Sequence, residues 1–211
     1  MSEVVLYDYW RSSASYRVRI ALNLAGIAYR SVPVDLLKRE HKSPVHLKRN
    51  PQGLVPALEI DGVLFTQSLA IIEYLAETRG LPSILPAAPI NRAEVRALAY
   101  AIAMEIHPIC NSGVVAYVME ITGKGEEART DWMNKFIGEG LTAVETMLQE
   151  NQGPLCFGPA PTLADICLLP QVYNARRWGV NISHLSRIIG ICEKLEKIEA
   201  FAMASPERVK P

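Results

Sequence analysis

Three serines lie where an apolar run near the N-terminus changes character. Ser12, Ser13 and Ser15 follow a β-branched and aromatic run at residues 4–7 and precede an apolar series that continues best as a helix. A serine at a helix start can accept hydrogen bonds from backbone N–H groups that the first turn leaves unpaired. The same N–H groups, at the positive end of the helix dipole, can bind an anionic ligand. Taken alone, these residues favour a plain helix cap, with the anion site as the alternative.

A second polar helix start follows at Gln67 and Ser68. Apolar residues recur behind it at helical spacing, at Leu69, Ile71, Ile72 and Leu75. Its unpaired amides could hold a carboxylate for the reasons given for the serines. In isolation, a plain N-cap is again the favoured interpretation.

The pair Val55-Pro56 stands at the start of a predicted strand, which Asp61-Gly62 joins to a second strand as a hairpin. A cis proline beside a ligand leaves the backbone N–H and C=O of the preceding residue free. Those groups could pair with an extended peptide in the way that a sheet edge does. A trans proline with a purely structural role is the alternative.

These residues need a framework that positions them. The first 80 residues have the pattern strand, helix, strand, helix, strand, strand, helix, and Pro33 predicts that the second strand lies at a sheet edge. Residues 81–90, which contain Pro82, Pro86 and Pro89, are expected to form an extended connector. The organisation predicted is a domain at 1–80, a Pro-rich linker at 81–90 and an all-helical domain at 91–211.

Within the helical part, helical spacing predicts helices over residues 91–105, 129–148, 166–172 and 188–201. Thr162 precedes the third of these, with Asp165 three residues later. This pair is a capping-box variant in which Asp stands in place of the usual Glu.

Charge and composition limit the partners. Lys+Arg and Asp+Glu are both 22, so nothing favours nucleic acid or an anionic membrane surface. No apolar run approaches the roughly 20 residues of a membrane span, and Met1-Ser2-Glu3 does not resemble a signal peptide. The four cysteines include no Cys-x-x-Cys pair, so neither a metal site nor a disulfide framework is indicated. A reducing cytoplasm is the expected location.

The order of these features resembles that of the glutathione transferases. Residues 11–22, RSSASYRVRIAL, resemble the SSCSxRVRIAL signature of the zeta class, the maleylacetoacetate isomerase family. Residues 67–75 match that family's QSLAIIEYL, and residues 162–165 and 170–177 are similar to its second domain. The resemblance covers nearly the full chain. It implies an α+β thioredoxin-like N-terminal domain, with a mixed four-stranded sheet and helices, followed by an all-α C-terminal domain that completes the substrate site.

The chain departs from the family at Ala14, where a cysteine usually follows the two serines. In a thioredoxin fold this corner holds Cys-x-x-Cys, and here it holds Ser12-x-x-Ser15. Disulfide exchange at this corner is therefore excluded, and the thiol must come from glutathione, the implied cofactor.

Site residues follow from the resemblance, position by position. Ser12, with Ser13 assisting, would donate to the glutathione sulfur, Val55 would pair its backbone with the cysteinyl unit, and His41 would reach the glycyl end. Gln67 and Ser68 would hold the γ-glutamyl carboxylate. The full set implied to bind glutathione is Ser12, Ser13, Ala14, Ser15, His41, Val55, Pro56, Gln67, Ser68, His107, Asn111 and Ser112. A locally hydrogen-bonded histidine is an equally good interpretation of His107.

The activity implied is cis–trans isomerisation of a maleyl diacid, maleylacetoacetate, through reversible addition of a thiolate to the double bond. Arg11 and Arg177 are the candidate cations for the substrate carboxylates, with Arg176 as a possible substitute. Together with Ser12 and Ser13, Arg11 and Arg177 form the predicted catalytic set. Two further arginines, Arg17 and Arg19, lie within the helix and are expected to be structural, paired with carboxylates such as Glu73 or Asp61.

Three alternatives stay open. The substrate could be maleylpyruvate, because both diacids carry two acidic ends. The protein could instead be a transferase that conjugates α-haloacids or other electrophiles, or a non-catalytic binding module of the same fold. The resemblance also implies a homodimer.

Overall fold

A computed structural model describes residues 3–81, 84–151 and 153–211. Met1, Ser2 and Pro82, on which the expectations for the N-terminus and the connector partly depend, lie outside the described residues. Contacts divide the chain into two compact units. The first unit comprises Met1–Ile84 together with Ile198–Pro211, and the second comprises Leu85–Lys197.

The first unit is built on a four-stranded mixed sheet. Its strands are β1 (Val5–Asp8), β2 (Arg30–Pro33), β3 (Ala57–Ile60) and β4 (Val63–Thr66). Their order is β2-β1-β3-β4, with β1 and β2 parallel and the other two pairs antiparallel. The predicted mixed sheet is confirmed, and β2, which contains Pro33, lies at its edge.

The hairpin between β3 and β4 has the predicted turn. Asp61 and Gly62 both adopt positive φ, at 54° and 77°. Two successive residues in this region match the right-handed twist of the strands that they connect. The Asp-Gly pair therefore determines the register in which Leu58 faces Phe65.

Helices account for most of the remaining chain. They are α1 (Ser13–Leu24), α2 (Pro44–Arg49), α3 (Ser68–Thr78), α4 (Pro89–Tyr100), α5 (His107–Ile109), α6 (Ser112–Thr122), α7 (Glu126–Leu148), α8 (Leu163–Arg177), α9 (Ser186–Leu195), α10 (Glu199–Met203) and α11 (Pro206–Val209). A short 3₁₀ helix covers Glu40–Lys42, and a π-helical segment covers Ala101–Ile106. The order of elements over the first 80 residues is the predicted one.

The last fourteen residues group with the first unit, whereas the sequence-based division placed all of 91–211 in one helical domain. Side chains of α1 explain this, because they donate to backbone carbonyls of the C-terminal segment. The bonds are Tyr16 Oη to Phe201 O at 3.3 Å, Arg19 Nε to Ala204 O at 2.9 Å and Asn23 Nδ2 to Ala200 O at 3.0 Å. The predicted single helix at 188–201 is correspondingly interrupted between α9 and α10.

In the second unit, α4 begins at Pro89, inside the expected connector, and passes into the π-helical segment before His107. Ile106, at the end of that segment, packs closely on α7 at Gly140. A Cβ built on Gly140 would lie 2.5 Å from Ile106 Cγ1. Only a glycine allows this approach, so the contact fixes how the π-helical segment meets α7.

The helix α8 is buried over most of its length, as expected for the central helix of a helical core. Asp165, fully buried, holds its N-terminus by accepting from three donors. These are Thr162 N at 2.8 Å, Thr162 Oγ1 at 2.7 Å and Cys156 N at 2.9 Å. The predicted capping pair is therefore present, and its carboxylate also anchors the loop at Cys156.

Among the described residues, one helical stretch, Pro89–Thr122, is long and apolar enough by length and composition to cross a membrane. A single stretch of this kind is weak evidence, because core helices pass the same test. The expectation of no membrane partner stays a prediction.

Replacing Asp165 by alanine should lower the free energy of unfolding by about 2–4 kcal/mol, because it removes the cap and leaves buried N–H groups unpaired. Thermal or denaturant unfolding would measure this. Asn181→Ala is the control, since Asn181 is exposed and its side chain accepts from the nearby Ser183 N and Oγ. It should change stability by less than about 0.5 kcal/mol. Equal losses in the two variants would contradict the assignment.

Candidate functional site

Ser12 connects β1 to α1 and caps the helix. Its Oγ accepts from Ser15 N–H at 3.2 Å, and its own N–H donates to Tyr9 O at 2.9 Å. The favoured cap interpretation therefore describes a bond that exists. A hydroxyl that accepts a hydrogen bond keeps its proton for donation, and the Ser12 side chain is only half-buried. The cap and a role as donor to an anion are compatible.

No cysteine stands at this corner, and the cysteines elsewhere are poorly suited to act as nucleophiles. All four are buried, and none of them forms a disulfide. Burial raises the pKa of Cys110 to about 11. It also raises the pKa of Cys156 and Cys192 well above the ordinary thiol value, with the Asp165 carboxylate contributing at Cys156. These raised pKa values favour the protonated form of the three thiols, which makes them poor nucleophiles.

The second polar helix start, at Gln67 and Ser68, has an unusual backbone. Gln67 adopts φ 68° and ψ 113° immediately before α3, a conformation that non-glycine residues rarely adopt. Its Nε2 donates to Gln52 Oε1 at 2.6 Å. Ser68 is 7% exposed and accepts from Arg17 Nη1 at 3.4 Å. Arg17 thereby connects α1, which Ser12 caps, to the start of α3.

The Val55-Pro56 peptide bond is cis, as the binding interpretation requires. Among the described residues, the backbone N–H and C=O of Val55 take part in no backbone hydrogen bond. The preceding carbonyl, Leu54 O, hydrogen-bonds His46 Nε2 at 2.9 Å and Asn50 Nδ2 at 3.0 Å. Two buried polar side chains therefore hold the loop that presents Val55.

His41 lies in the 3₁₀ helix beside the same loop. Its Nδ1 is buried and has no hydrogen-bond partner among the described residues. Burial lowers the pKa of His41, and the charge of Lys42 lowers it further. Lys42 Nζ donates to Gln52 O at 3.1 Å, and a Cβ on Gly53 would come within 2.9 Å of His41 O. The segment carrying His41 therefore packs directly against the loop.

Gln52 and Arg17 contact parts of the predicted set in the first unit. Gln52 bonds to Gln67 and to Lys42, the neighbour of His41, and Arg17 bonds to Ser68. The turn signal at residues 50–53 predicted the loop but gave no reason to single out Gln52, whose partner is fifteen positions away. This bridge could not be recognised before the loop and α3 were placed side by side.

Arg11 follows β1 and lies against two aromatic rings. Its Nη2 donates to Tyr9 Oη at 3.0 Å, and its Cζ lies 4.7 Å from the Trp10 ring centroid. Its Nε is buried without a partner among the described residues. A cavity of about 490 Å³ adjoins it within the first unit, and its lining includes Tyr9, Trp10, Arg11, Pro33, Val209 and Pro211. Arg11 is therefore a held cation at the edge of a cavity.

Arg19 is buried and paired with a carboxylate, as expected, but its partner is not the suggested Asp61. Arg19 pairs with Asp8, at 2.6 Å between Nη1 and Oδ2, because α1 places it over the end of β1. Asp61, in the hairpin turn, instead accepts from Tyr74 Oη and pairs with Arg79. These two contacts lower the pKa of Asp61.

In the second unit, three predicted residues lie within one short stretch. His107 begins α5 directly after the π-helical segment, an irregularity often found at functional sites. Asn111 caps α6 by accepting from Gly113 N–H at 2.7 Å, and Ser112 is the exposed first residue of α6. Asn111 therefore has a structural task whatever else it contacts.

Arg177 ends α8, exposed, with its Cζ 4.6 Å from the Trp178 ring centroid. Arg129 of α7 lies 4.9 Å from the same ring. One turn further along α7, Trp132 Nε1 donates to Ile109 O at 2.9 Å. The first turns of α7 therefore contact both the segment that contains His107 and the end of α8. The sequence showed no signal for this role of Arg129 and Trp178.

Arg176 precedes Arg177 at the end of α8. Its Nη1 pairs with Glu196 Oε1 at 2.6 Å, which gives this guanidinium an ionic partner within the second unit.

Comparison with known proteins agrees with this geometry. Residues 2–77 match the family model for the glutathione S-transferase N-terminal domain. The chain is 63% identical to a maleylacetoacetate isomerase of Rhizobium meliloti over 211 residues, covering 100% of this chain and 99% of the relative.

Solved structures are similar along the full length. One is the holo structure of a maleyl pyruvate isomerase, a bacterial glutathione S-transferase of the zeta class, with a TM-score of 0.94, 39% identity and 98% of each chain covered. Another is the maleylacetoacetate isomerase of Anaeromyxobacter dehalogenans 2CP-1 with dicarboxyethyl glutathione and citrate bound in its active site, with a TM-score of 0.88, 39% identity, and 99% of this chain and 96% of that chain covered. The chain therefore belongs to the maleylacetoacetate isomerase family, the zeta class of the glutathione transferases.

Proposed function

We propose that this protein is a glutathione-dependent cis–trans isomerase that converts maleylacetoacetate into its fumaryl isomer. The observation that carries the proposal is the corner between β1 and α1. There Ser12 keeps a hydroxyl proton available at the start of a helix, and Ala14 replaces the family's cysteine. A site of this kind stabilises a thiolate but cannot supply one.

Three features of the first unit fit glutathione. The open backbone groups of Val55 suit the peptide portion of the ligand, in the manner of an added strand. The start of α3 at Gln67 and Ser68 suits its γ-glutamyl carboxylate. The buried, unpartnered Nδ1 of His41 suits a polar group at its glycyl end. Ser13, Ala14, Ser15 and Pro56 complete this proposed binding set.

Glutathione, when bound, supplies the thiolate whose reversible addition to the cis double bond permits rotation. The Ser12 hydroxyl would donate a hydrogen bond to the sulfur, and Ser13 lies at the first position of the same helix. The positive end of α1 favours the anionic form, so both effects lower the pKa of a thiol held there.

The substrate carries two carboxylates, and two arginines would bind them. Arg11 is held by Tyr9 and Trp10 at the edge of a cavity. Arg177 is exposed at the end of α8 beside Trp178. A guanidinium can bind a carboxylate through two parallel hydrogen bonds, which both orients the diacid and supports charge that develops during the reaction. His107, Asn111 and Ser112 are proposed to line the same site.

Maleylpyruvate is the second candidate substrate, because a structure with a TM-score of 0.94 is that of a maleyl pyruvate isomerase. The two diacids share the maleyl group on which this chemistry acts and differ in the attached chain. A direct comparison of kcat/KM for the two would rank them.

The protein is further proposed to be a cytoplasmic homodimer. Val114, Tyr117 and Ile121 lie on one face of α6 and are 40%, 62% and 63% exposed. Their spacing of three and four residues makes an apolar stripe of the kind that a second copy covers. Sedimentation equilibrium that gave the mass of a single chain would contradict the dimer.

The proposed location is supported by the cysteines, none of which forms a disulfide, as is usual in a reducing compartment. Recovery of the protein from an extracytoplasmic fraction would contradict that location.

The purified protein should isomerise maleylacetone in the presence of glutathione and not in its absence. The concentration of free thiol should stay constant during turnover, because the thiolate is released at the end of each cycle. Ultraviolet absorbance would follow the isomerisation, and a thiol titration would run in parallel. Steady consumption of thiol would instead show a conjugating transferase, and failure to bind immobilised glutathione would show a non-catalytic module.

Ser12→Ala should lower kcat by about 10²–10³-fold while glutathione binding changes little, because the lost hydrogen bond matters most to the thiolate. The pKa of the bound thiol, read from thiolate absorbance against pH, should rise. Ser43→Ala is a matched control, since Ser43 caps α2 in the same way, at 3.3 Å from His46 N. If Ser12→Ala retains wild-type kcat, the role assigned to Ser12 is wrong.

Arg177→Ala should raise KM for the diacid by about tenfold or more, because it removes a bidentate carboxylate contact, and should leave the Kd for glutathione unchanged. Arg176→Ala is the neighbouring control, since Arg176 pairs with Glu196. Steady-state kinetics and a glutathione titration would separate the two effects. If Arg177→Ala lost glutathione binding instead, the assignment of Arg177 to the carboxylate of the diacid would be wrong.

A further inference from the structure

Arg19 is a buried cation with three separate acceptors. It is 1% exposed, and each nitrogen of its guanidinium donates to a different part of the first unit. Nη1 donates to Asp8 Oδ2 at 2.6 Å, Nη2 to Trp10 O at 2.9 Å and Nε to Ala204 O at 2.9 Å. A single side chain therefore connects the end of β1, the turn that follows it and the C-terminal segment.

The Trp10 carbonyl lies in the turn that carries Ser12. Tyr9 O, on one side of it, accepts the Ser12 N–H, and Asp8, at the end of β1, is the ionic partner of Arg19. One guanidinium therefore bonds to the chain at two points between the end of β1 and Ser12, at Asp8 and at the Trp10 carbonyl. Asp8 is itself held by Ser31, whose Oγ donates to Asp8 Oδ1 at 2.7 Å.

The chemistry of this position favours arginine over lysine. A planar guanidinium can place fixed donors on three acceptors at once, whereas an ammonium is a point charge on a flexible stem. A lysine could keep the ion pair with Asp8, but it could not reproduce the bonds to both the Trp10 and the Ala204 carbonyls. An arginine makes the bonds to the Trp10 and Ala204 carbonyls and a lysine would lose them. These two bonds therefore distinguish a positioning role from simple charge neutralisation.

Arg19 bonds to the C-terminal segment at the Ala204 carbonyl. The Tyr16 and Asn23 side chains of α1 also donate to this segment, at Phe201 O and Ala200 O. Arg19 bonds both to this segment and to the turn that carries Ser12.

We propose that Arg19 is a positioning residue, which fixes the turn carrying Ser12 by bonding it to Asp8 and to the C-terminal segment at Ala204. The consequence for the chemistry rests on the proposed function of Ser12. Displacement of the Ser12 hydroxyl by a fraction of an ångström would weaken its bond to the sulfur, while the rest of the glutathione contacts would persist.

The test compares Arg19→Lys with Asn23→Ala. Arg19→Lys should speed backbone hydrogen exchange across residues 9–12, raise the pKa of bound glutathione thiol and lower kcat by about tenfold or more, with the Kd for glutathione unchanged. Asn23→Ala removes a bond to the C-terminal segment from the same helix without touching the turn. It should lower the melting temperature and leave the exchange, the thiol pKa and kcat as in the wild type.

A purely structural Arg19 would give the opposite pattern, with Arg19→Lys losing only thermal stability, and that result overturns the proposal. If Arg19→Lys does not fold, Asp8→Asn is the second variant. It keeps the shape of the pair but loosens the guanidinium that holds the Trp10 carbonyl, so faster exchange across residues 9–12 is expected, and unchanged exchange would overturn the proposal. The exchange measurement needs no ligand. A wild-type protein that bound no glutathione would therefore end the proposed function, while the exchange rates would still decide the role of Arg19.

Discussion

The start of α1 is the constraint on which the rest of the site depends. The strand β1 ends and the helix α1 begins within a few residues. In the proposed site, the N–H groups of the first helical turn would face a ligand instead of bonding to other protein groups. The hydrogen bond from Ser15 N–H to Ser12 Oγ satisfies one of those donors and sets the first turn. Because the capping atom is a hydroxyl, the same side chain also has a proton to offer. A carboxylate at this position would cap the helix but repel an anion. An alanine would neither cap the helix nor offer a hydrogen bond to an anion.

The second polar helix start solves the same physical problem in a different way. Gln67 provides no side-chain cap for α3 and adopts a positive φ, so the start of that helix is held by contacts with neighbouring segments. Gln52 and Arg17 supply those contacts from a loop and from α1. The buried Arg17 and the exposed Gln52 thus hold the start of α3 against α1 and against the loop. Contacts of this kind would preorganise the proposed glutathione site.

Local chemistry made much of this predictable. The Asp61-Gly62 hairpin, the edge position of Pro33, the cap at Ser12 and the pair Thr162 and Asp165 each depend on residues within a few positions of one another. Contacts at long range were not predictable in the same way. The partner of Arg19 could have been any carboxylate near α1, and only the placement of β1 under that helix selects Asp8. The close packing of Ile106, at the end of the π-helical segment, on Gly140 also joins residues more than thirty positions apart.

The return of residues 198–211 to the first unit also bears on how the chain is made. Synthesis delivers α1 before the second unit and residues 198–204 after it, so a nascent chain holds the donors of Tyr16, Arg19 and Asn23 before their acceptors exist. The first unit therefore cannot complete its hydrogen bonding until the whole second unit has been translated. The order in which the chain emerges and the order in which its two units close are therefore different.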